Sequence, residues 1–366
     1  MDGMTRPDWP MDIRGWPAPV VDPPQAGVEV SSMSTCIYCR QSKGPFTREH
    51  VVHDGFGKFQ GALVIHNAVC HDCNQEFSGT IDLALTRSSV EGYERYRFGV
   101  KKPSEIDKFK HSSLTLRVKD PGDFDGAQFV QRADPAGENL VSHIVPGISV
   151  RRKEGEGFVH FTEAQVRDGA WLQNNEVDWR LGIKVFGGDA KSDETRAILE
   201  SQGVVVKWRA LKPPESGEVK VQQEFEVTPE IRRALAKIAF NYLTYREGPD
   251  YALLKAFDPI RKYIRYGEKP SLSLPPVLSL EGLPFDRINT PKGEVLMDGP
   301  KRPVIHFVSL AVKTAERNVL GAVSLFSFMA HRVMLAEAFT GPLPGPSAHL
   351  YNVRMKEVFE LRAGPS

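Results

Sequence analysis

Cysteine is nearly absent from this sequence, with four residues in 366, and all four lie between residues 36 and 73. A disulfide scaffold distributes its cysteines through a short secreted chain, so this pattern excludes that class of protein. The chain also lacks an apolar run of the ~20 residues that a membrane span requires. Its N-terminus has neither the basic nor the apolar region of a secretory signal. We therefore expect a cytoplasmic protein without a membrane partner.

An excess of either charge is missing as well. The 47 Lys and Arg residues nearly balance the 46 Asp and Glu residues, which gives a net charge of +1 at pH 7. Within residues 36–100, basic and acidic side chains are equal in number. The strong positive charge of a non-specific DNA-binding protein is therefore absent, although a local basic face stays open. The length allows two domains, each with a buried core.

The four cysteines that are present form two Cys-x-x-Cys pairs, Cys36/Cys39 and Cys70/Cys73. In a chain without secretory features, two such pairs predict one tetrahedral, structural Zn²⁺ site with four thiolate ligands. The alternative is two redox-active pairs. Neither pair has a context typical of a thioredoxin-like motif, so the sequence favours zinc.

Local patterns divide the chain into three predicted parts. Residues 1–33 are rich in proline and aspartate without a helical or strand period, which predicts a flexible Pro-rich tail. Residues 34–100 form a cysteine module, with a strand over 49–55, a glycine-rich turn, a strand over 62–69 and then a helix. A module this small buries little apolar surface, so we expect metal binding to contribute much of its folding free energy.

Residues 101–366 predict one larger domain, whose role stays open between substrate recognition, sensing and assembly. Its strand patterns are 113–120, a hairpin within 204–227, and two buried strands that run into a third element over 304–339. The strongest helix has Thr228 as N-cap, Pro229 at its first position and Gly248 at its end. A second, proline-interrupted helical segment follows at 251–267. The fold class is therefore α+β, a small module followed by a larger mixed α+β domain.

One set of residues in the cysteine module carries a family resemblance: Cys36-x₂-Cys39, Glu49-His50, Asn67, Cys70-x₂-Cys73 and Asn74. The set resembles the zinc-ribbon branch of the HNH endonucleases, a bacterial subgroup. The resemblance covers about residues 34–100 and implies the small ββα-metal fold of that family. Glu49 is a departure, because many members of the family have aspartate at this position.

The resemblance implies a role for each matched residue. Zinc on the four cysteines would be structural, and Glu49 and Asn74 would hold a catalytic Mg²⁺ or Mn²⁺. His50 would be the general base, and Asn67 would hydrogen-bond backbone in the loop that fixes His50. The chemistry agrees, because a hard cation takes carboxylate and amide oxygens and stabilises the charge of the phosphorane and of the leaving oxygen. Histidine exchanges protons near neutral pH, as a base for water must.

Each of these residues also has a simpler interpretation. His50 could hydrogen-bond within the hairpin, and Asn74 could cap the helix that follows the second cysteine pair. His71 could replace one cysteine in a Cys₃His zinc site. His66 is expected to point outward from the second strand.

Several side chains are candidates for nucleic-acid contact. Within the module they are His53, Arg48, Arg87, Arg95 and Arg97, of which the arginines could hold phosphates. Towards the C-terminus they are Arg232, Arg233, Lys237, Arg261, Lys262 and Arg265, the last three interleaved with Tyr263 and Tyr266. The same residues could equally form solvated faces of amphipathic helices.

The sequence hypothesis is a metal-dependent HNH endonuclease that hydrolyses phosphodiester bonds in DNA. Family membership alone suggests a place in bacterial defence or restriction. One alternative is a non-catalytic zinc module that binds nucleic acid or protein, and another is an RNA nuclease with the same site. Since one HNH site cuts one strand at a time, double-strand cleavage would favour a homodimer.

Overall fold

The fold is described from a computed structural model, which covers residues 34–109, 114–119, 122–205, 207, 209–212, 220–270, 272–273, 275–281, 287–290, 293–296 and 304–361. The predicted tail at 1–33 lies outside the described residues. Helices and strands both occur throughout, so the predicted α+β class is confirmed. Among the described residues, no helix combines the length and the apolar character needed to cross a membrane.

Contacts divide the chain into two compact units. Residues 1–100 and 227–366 form one, the main unit, and residues 101–226 form the other, the inserted unit. This division differs from the predicted one, in which residues 101–366 made a single domain. Sequence patterns are local, whereas the main unit brings together segments that the inserted unit separates along the chain.

The N-terminal module of the main unit contains two strands and three helices: β1 (Phe46–His50), β2 (Val64–Cys70), α1 (His71–Gly79), α2 (Ile81–Arg87) and α3 (Val90–Arg97). The two strands pair antiparallel, with an irregularity in register between Thr47 and Glu49. The predicted first strand was placed too late. It ends at His50 because the His53 side chain accepts a hydrogen bond from the backbone of Gly55 and opens a short 3₁₀ turn.

The described part of the inserted unit contains seven strands and two α-helices: β3 (Leu114–Val118), β4 (Gln128–Ala133), β5 (Leu140–Ile144), β6 (Gly147–Arg151), β7 (Phe158–Thr162), α4 (Glu163–Arg167), β8 (Ile183–Phe186), α5 (Asp189–Ser201) and β9 (Val221–Phe225). They form a four-stranded sheet in the order β5-β4-β3-β9 and a three-stranded sheet in the order β7-β6-β8. Strand β9 pairs with β3, and the described residues of 204–212 form no strand that could be its predicted hairpin partner; the predicted turn at 213–217 lies outside the described residues. Alternation identifies a strand but not its partner.

The chain then returns to the main unit, where eleven elements follow: α6 (Pro229–Glu247), α7 (Pro249–Ala252), α8 (Asp258–Tyr266), β10 (Val277–Glu281), β11 (Arg287–Thr290), β12 (Gly293–Leu296), β13 (Ile305–Lys313), β14 (Asn318–Leu325), β15 (Met329–Ala336), β16 (Ser347–Asn352) and β17 (Glu357–Leu361). Six of the strands form an antiparallel sheet in the order β10-β15-β14-β13-β16-β17. The predicted helix is confirmed, with Thr228 as N-cap and Gly248 at its C-cap. The third element after the predicted hairpin is a strand, β15.

Helix α6 is the centre of the main unit. Every residue from Ala234 to Thr244 is buried, because the helix packs against β2 and α2 of the module and against β13, β14 and β15 of the sheet. A helix enclosed in this way buries polar positions as well as apolar ones. The sheet approaches α6 closely at Gly321, where an added Cβ would lie 2.7 Å from the Cβ of Ala239. One continuous hydrophobic core therefore joins module, helix and sheet.

A buried histidine links the sheet to the module. His306 on β13 accepts a hydrogen bond at Nδ1 from the backbone N–H of Phe326 (3.1 Å), and its Nε2 lies 3.0 Å from the carbonyl oxygen of Phe56. Burial lowers the pKa of His306 from 6.5 to about 4, and burial does the same for His349 on β16. Both imidazoles are therefore neutral in the folded protein at pH 6.

We expect acid to destabilise the protein between pH 6.5 and 4. In this window His306 and His349 bind protons in the unfolded chain but not in the folded protein. Their contribution to the free energy of unfolding is therefore fully present above pH 6.5 and is lost as the pH falls. Urea unfolding at several pH values measures the change. His306→Gln should lower stability at pH 7 by about 1–3 kcal/mol but reduce the decline at lower pH. His66→Gln, at an exposed position, is the control and should not change how the free energy of unfolding falls with pH. If His306→Gln does not change it either, the pH dependence does not come from His306.

Candidate metal and catalytic site

The four cysteine sulfurs converge on one point of the module. The Sγ atoms of Cys36, Cys39, Cys70 and Cys73 all lie within 4.8 Å of one another, and those of Cys39 and Cys70 are 3.7 Å apart. A tetrahedral zinc ion with Zn–S bonds of ~2.3 Å requires sulfurs about 3.8 Å apart. All four thiols are free of disulfides. The predicted cluster is confirmed as a group that can bind a metal ion such as zinc.

Local geometry favours the thiolate form of one of the four cysteines, Cys36. The thiol of Cys73 and backbone N–H groups donate to Cys36 Sγ and lower the pKa of Cys36 to about 4, against the opposing effect of burial. The backbone N–H of Cys70, the residue before α1, is 3.4 Å from that sulfur. His71 is exposed, lies beside Asp72 and is outside the cluster, so the predicted Cys₃His alternative does not fit.

Helix α8 supports the first cysteine pair from outside the module. Arg261 is buried and donates from Nε to the carbonyl oxygen of Ile37 (2.5 Å) and from Nη2 to that of Ala252 (2.5 Å). Arg40 donates to the carbonyl oxygen of Leu253 and contacts Asp258. The prediction that Arg261 contacts nucleic acid is therefore wrong, because its guanidinium is enclosed by protein.

His50 faces an open depression of about 660 Å³ on the module surface. The residues that line it are Arg48, His50, Asp54, Lys58, Phe59, Gly61, Ala62 and Val64. The Nε2 atom of His50 is 3.3 Å from Oδ1 of Asp54, and a quarter of the His50 side chain is exposed. Arg48, an exposed residue of the same strand, lies on the same rim. Solvent and a phosphate can therefore reach the imidazole.

Glu49 lies on the opposite face of β1 and is only 5% exposed. Its Oε1 accepts hydrogen bonds from Nζ of Lys237 (2.6 Å) and from Nδ2 of Asn241 (3.3 Å). The same ammonium is 2.9 Å from Oδ2 of Asp82. Burial acts to lower the pKa of Lys237, but the charges of Asp82 and Glu49 outweigh it and raise that pKa above its ordinary value. The predicted nucleic-acid role of Lys237 is therefore wrong.

Asn74, on α1, contacts strand β1 at Thr47. Its Nδ2 donates to Oγ1 of Thr47 (2.9 Å), two residues before Glu49, so its amide oxygen remains for another ligand. Asn74 does not cap α1, because the cap position belongs to Cys70. Within the described residues both partners of the Glu49 carboxylate bind Oε1, so Oε2 keeps its lone pairs. These two oxygens are the donor type that a hard divalent cation prefers.

Charge also fits a cation at this face. The carboxylates of Glu49 and Asp82 share a single ammonium, which leaves one net negative charge in a buried cluster. An uncompensated buried charge is costly, and a cation next to it would offset that cost. The carboxylate and amide oxygens of Glu49 and Asn74 therefore fit a hard divalent metal in donor chemistry.

The other candidate residues occupy separate positions. Asn67 is exposed on β2 and has a φ of 54°, in the left-handed region that asparagine tolerates. His53 is half-buried and its Nδ1 accepts from the backbone of Gly55 (2.9 Å), while burial lowers its pKa. Arg87 and Arg97 are exposed at the ends of α2 and α3. Arg95 is buried and donates to the carbonyl oxygen of Thr86 (2.8 Å), so its predicted phosphate contact is wrong. His66 is exposed on β2, as predicted.

Sequence reasoning missed four residues of the site. Asp54 and Lys58 line the depression, and Asp82 and Asn241 belong to the buried cluster. An acid four residues after His50 was a usable signal for Asp54. Nothing in the sequence pairs Asn241 with Glu49, because 192 positions separate them.

Residues 36–89 match the family model described as HNH endonuclease. The matched range contains both cysteine pairs, Glu49-His50, Asn67 and Asn74. The chain therefore carries an HNH endonuclease module, which indicates a nuclease-like role and a nucleic-acid substrate. Comparison of the chain with curated proteins and with solved structures gave no match.

We expect the purified chain to hold a single zinc ion at the four sulfurs. Cys73→Ser should lose most of the metal and much of the thermal stability, because zinc binding contributes folding free energy to a small module. His71→Ala is the control and should keep both. Metal content by mass spectrometry, together with thermal unfolding, checks this. A Cys73→Ser protein with full zinc content would contradict the four-thiolate site.

Proposed function

We propose that this protein is a metal-dependent endonuclease that hydrolyses phosphodiester bonds in DNA, with His50 as the general base. The observation that carries the proposal is the placement of His50. Its imidazole lies in an open depression beside Asp54, within a module that matches the HNH endonuclease family. A merely structural histidine would have no need of an open surface around it.

The two nitrogens of His50 take different roles. Nε2 faces the Asp54 carboxylate, so a proton on Nε2 makes that contact a hydrogen bond and leaves Nδ1 free to accept. Nδ1 takes a proton from water as the water oxygen forms its bond to phosphorus. The bond from phosphorus to the 3′-oxygen breaks, which gives a 5′-phosphate and, after protonation from solvent, a 3′-hydroxyl. Asp54 holds the ring and stabilises the imidazolium.

Glu49 and Asn74 would hold the catalytic Mg²⁺ or Mn²⁺ through Oε2 and the amide oxygen. When bound, that cation supplies positive charge to the phosphorane oxygens and to the leaving oxygen. Zinc on the four cysteines has a structural role, because four protein ligands leave no open position. The two metals are thereby separated by ligand chemistry, thiolate for one and hard oxygen for the other.

The rim of the depression offers cations to the substrate. Arg48 and Lys58 are exposed beside His50 and can contact the phosphates that flank the scissile bond. Arg87 and His53 remain further candidates for such contacts. The inserted unit would select the substrate, sense a signal or mediate assembly. A second copy of the chain would supply the site needed to cut a second strand.

The decisive test is nicking of supercoiled plasmid with Mg²⁺ or Mn²⁺. His50→Ala should lose at least about 100-fold in rate, the contribution typical of a general base. His66→Ala, at an exposed histidine of β2, should retain the wild-type rate. Zinc content is measured for each protein, so that loss of the base is separated from loss of the fold.

Equal nicking by the wild-type and His50→Ala proteins would overturn the assignment of the base. If neither protein cuts plasmid, single-stranded DNA and RNA are the next substrates. Cleavage of RNA alone, sensitive to His50→Ala, would replace DNA by RNA as the substrate. Absence of cleavage on all of them would leave a zinc module that binds without cutting.

Arg48 gives a separate prediction about binding. In a His50→Ala background, Arg48→Gln should weaken DNA binding and reduce the slope of log K against log salt by about 1, since one phosphate contact is lost. Lys313→Gln removes an exposed cation that pairs with Glu316 on another hairpin, and it should change neither quantity. Fluorescence anisotropy at several salt concentrations measures both. Equal effects of the two substitutions would exclude a specific contact at Arg48.

A further inference from the structure

Asn241 of helix α6 contacts both members of the Glu49-His50 pair. Its Nδ2 lies 3.3 Å from Oε1 of Glu49 and 3.2 Å from the backbone carbonyl oxygen of His50. The residue is fully buried, so water does not compete for either contact. A single amide group thus connects the carboxylate proposed to hold the metal with the backbone of the proposed base.

The orientation of this amide is fixed by a tyrosine of the module. The hydroxyl of Tyr38 donates to Oδ1 of Asn241 (2.5 Å), which directs Nδ2 towards Glu49. The ring of Tyr38 packs edge-on against Phe77 of α1 and Phe240 of α6.

Lys237 lies one helical turn before Asn241 and binds the same oxygen of Glu49. Residues four apart lie on the same face of a helix, so α6 presents an ammonium and an amide side by side to Oε1. Asp82 takes a further hydrogen of the ammonium and fixes its position. Within the described residues these partners bind Oε1 and leave Oε2 without a hydrogen bond.

We propose that Asn241 and Lys237 are positioning residues of the nuclease site, which α6 completes from outside the matched HNH module. The inference rests on the proposed function and deepens it. Asn241 sets the direction of the Glu49 carboxylate and holds the end of β1, from which the His50 side chain enters the depression. Lys237 holds Oε1, so that Oε2 is the oxygen offered to the metal.

A positioning role explains features that packing alone does not. A helix interior filled by apolar side chains would pack as well without burying a lysine and an asparagine, and each buried polar group must be satisfied at a cost in desolvation. Asn67, the residue that the family pattern assigns to holding the loop, is exposed, and the described residues give its side chain no hydrogen bond. Asn241 supplies such a bond from another part of the chain.

The test uses the full chain with three substitutions. Asn241→Ala removes both contacts, and Tyr38→Phe removes only the hydroxyl that orients Asn241 while keeping the aromatic ring. Tyr242→Phe is the matched control, because it also removes a buried tyrosine hydroxyl. Tyr242 lies on α6, and its hydroxyl bonds His349 (2.8 Å) and does not contact Glu49. Zinc content and thermal unfolding are measured for all three.

Two readouts separate positioning from stability. The first is Mn²⁺ affinity by electron paramagnetic resonance on zinc-loaded protein without DNA, and the second is the division of nicking kinetics into kcat and KM. We expect Asn241→Ala to weaken Mn²⁺ binding and to lower kcat by about 10-fold to 100-fold, as loss of an outer-shell partner does, with KM unchanged. Tyr38→Phe should give a smaller change in the same direction, and Tyr242→Phe should give none.

The inference is overturned if Tyr38→Phe and Asn241→Ala match Tyr242→Phe in both Mn²⁺ affinity and kcat. It is also overturned if every variant loses activity only in proportion to lost zinc or thermal stability. Should Asn241→Ala fail to fold, Tyr38→Phe decides alone. Failure of the proposed function would be a different result: the wild-type and His50→Ala proteins would then nick plasmid at the same rate. In that case the Mn²⁺ titration would still test the role of Asn241.

Discussion

The Lys237 ammonium lies between the carboxylates of Glu49 and Asp82 in the interior of the main unit, and the attachment of the module depends on this arrangement. Removing one partner of a buried ion pair costs about 3–5 kcal/mol, because the other charge is left without compensation. The pairing therefore allows little freedom in where β1 and α2 lie against α6. Around it, one hydrophobic core runs from the cysteine pairs through α6 to the six-stranded sheet. A module that would be too small to fold on apolar burial alone thus shares the core of a larger unit.

Strand β1 separates the chemistry of the site into two faces. His50 and Arg48 face solvent in the depression, whereas Glu49 faces the interior with Thr47 and Asn74 beside it. Alternation along a strand makes this separation unavoidable for adjacent residues. The exposed face suits proton transfer to and from water, and the interior face holds the Glu49 carboxylate in its ion pair with Lys237. Two adjacent residues thus place a carboxylate in the interior and an imidazole at the surface.

Sequence reasoning located the cysteine cluster and the module well, because both depend on local spacing. The Cys-x-x-Cys pairs brought their sulfurs to one point, and helix α6 begins and ends where its proline, threonine and glycine indicated. The sequence did not predict which strands pair. The alternation in Val221–Phe225 marked a strand, but its partner is Leu114–Val118, about a hundred residues earlier, and not the segment just before it. Long-range pairing is decided by the packing of whole sheets, which no short window contains.

The same contrast holds for the site. Residue type and spacing within residues 36–89 were enough to predict the cysteine cluster, the HNH module and the adjacent pair Glu49-His50. Only the tertiary structure decided that Lys237 and Arg261 are internal and not substrate contacts, and that Asn241 binds both Glu49 and the His50 backbone. The reason is physical. The ionic and hydrogen-bond partners of a buried group are fixed by which helices share its core, and that information is spread over nearly two hundred positions of the chain.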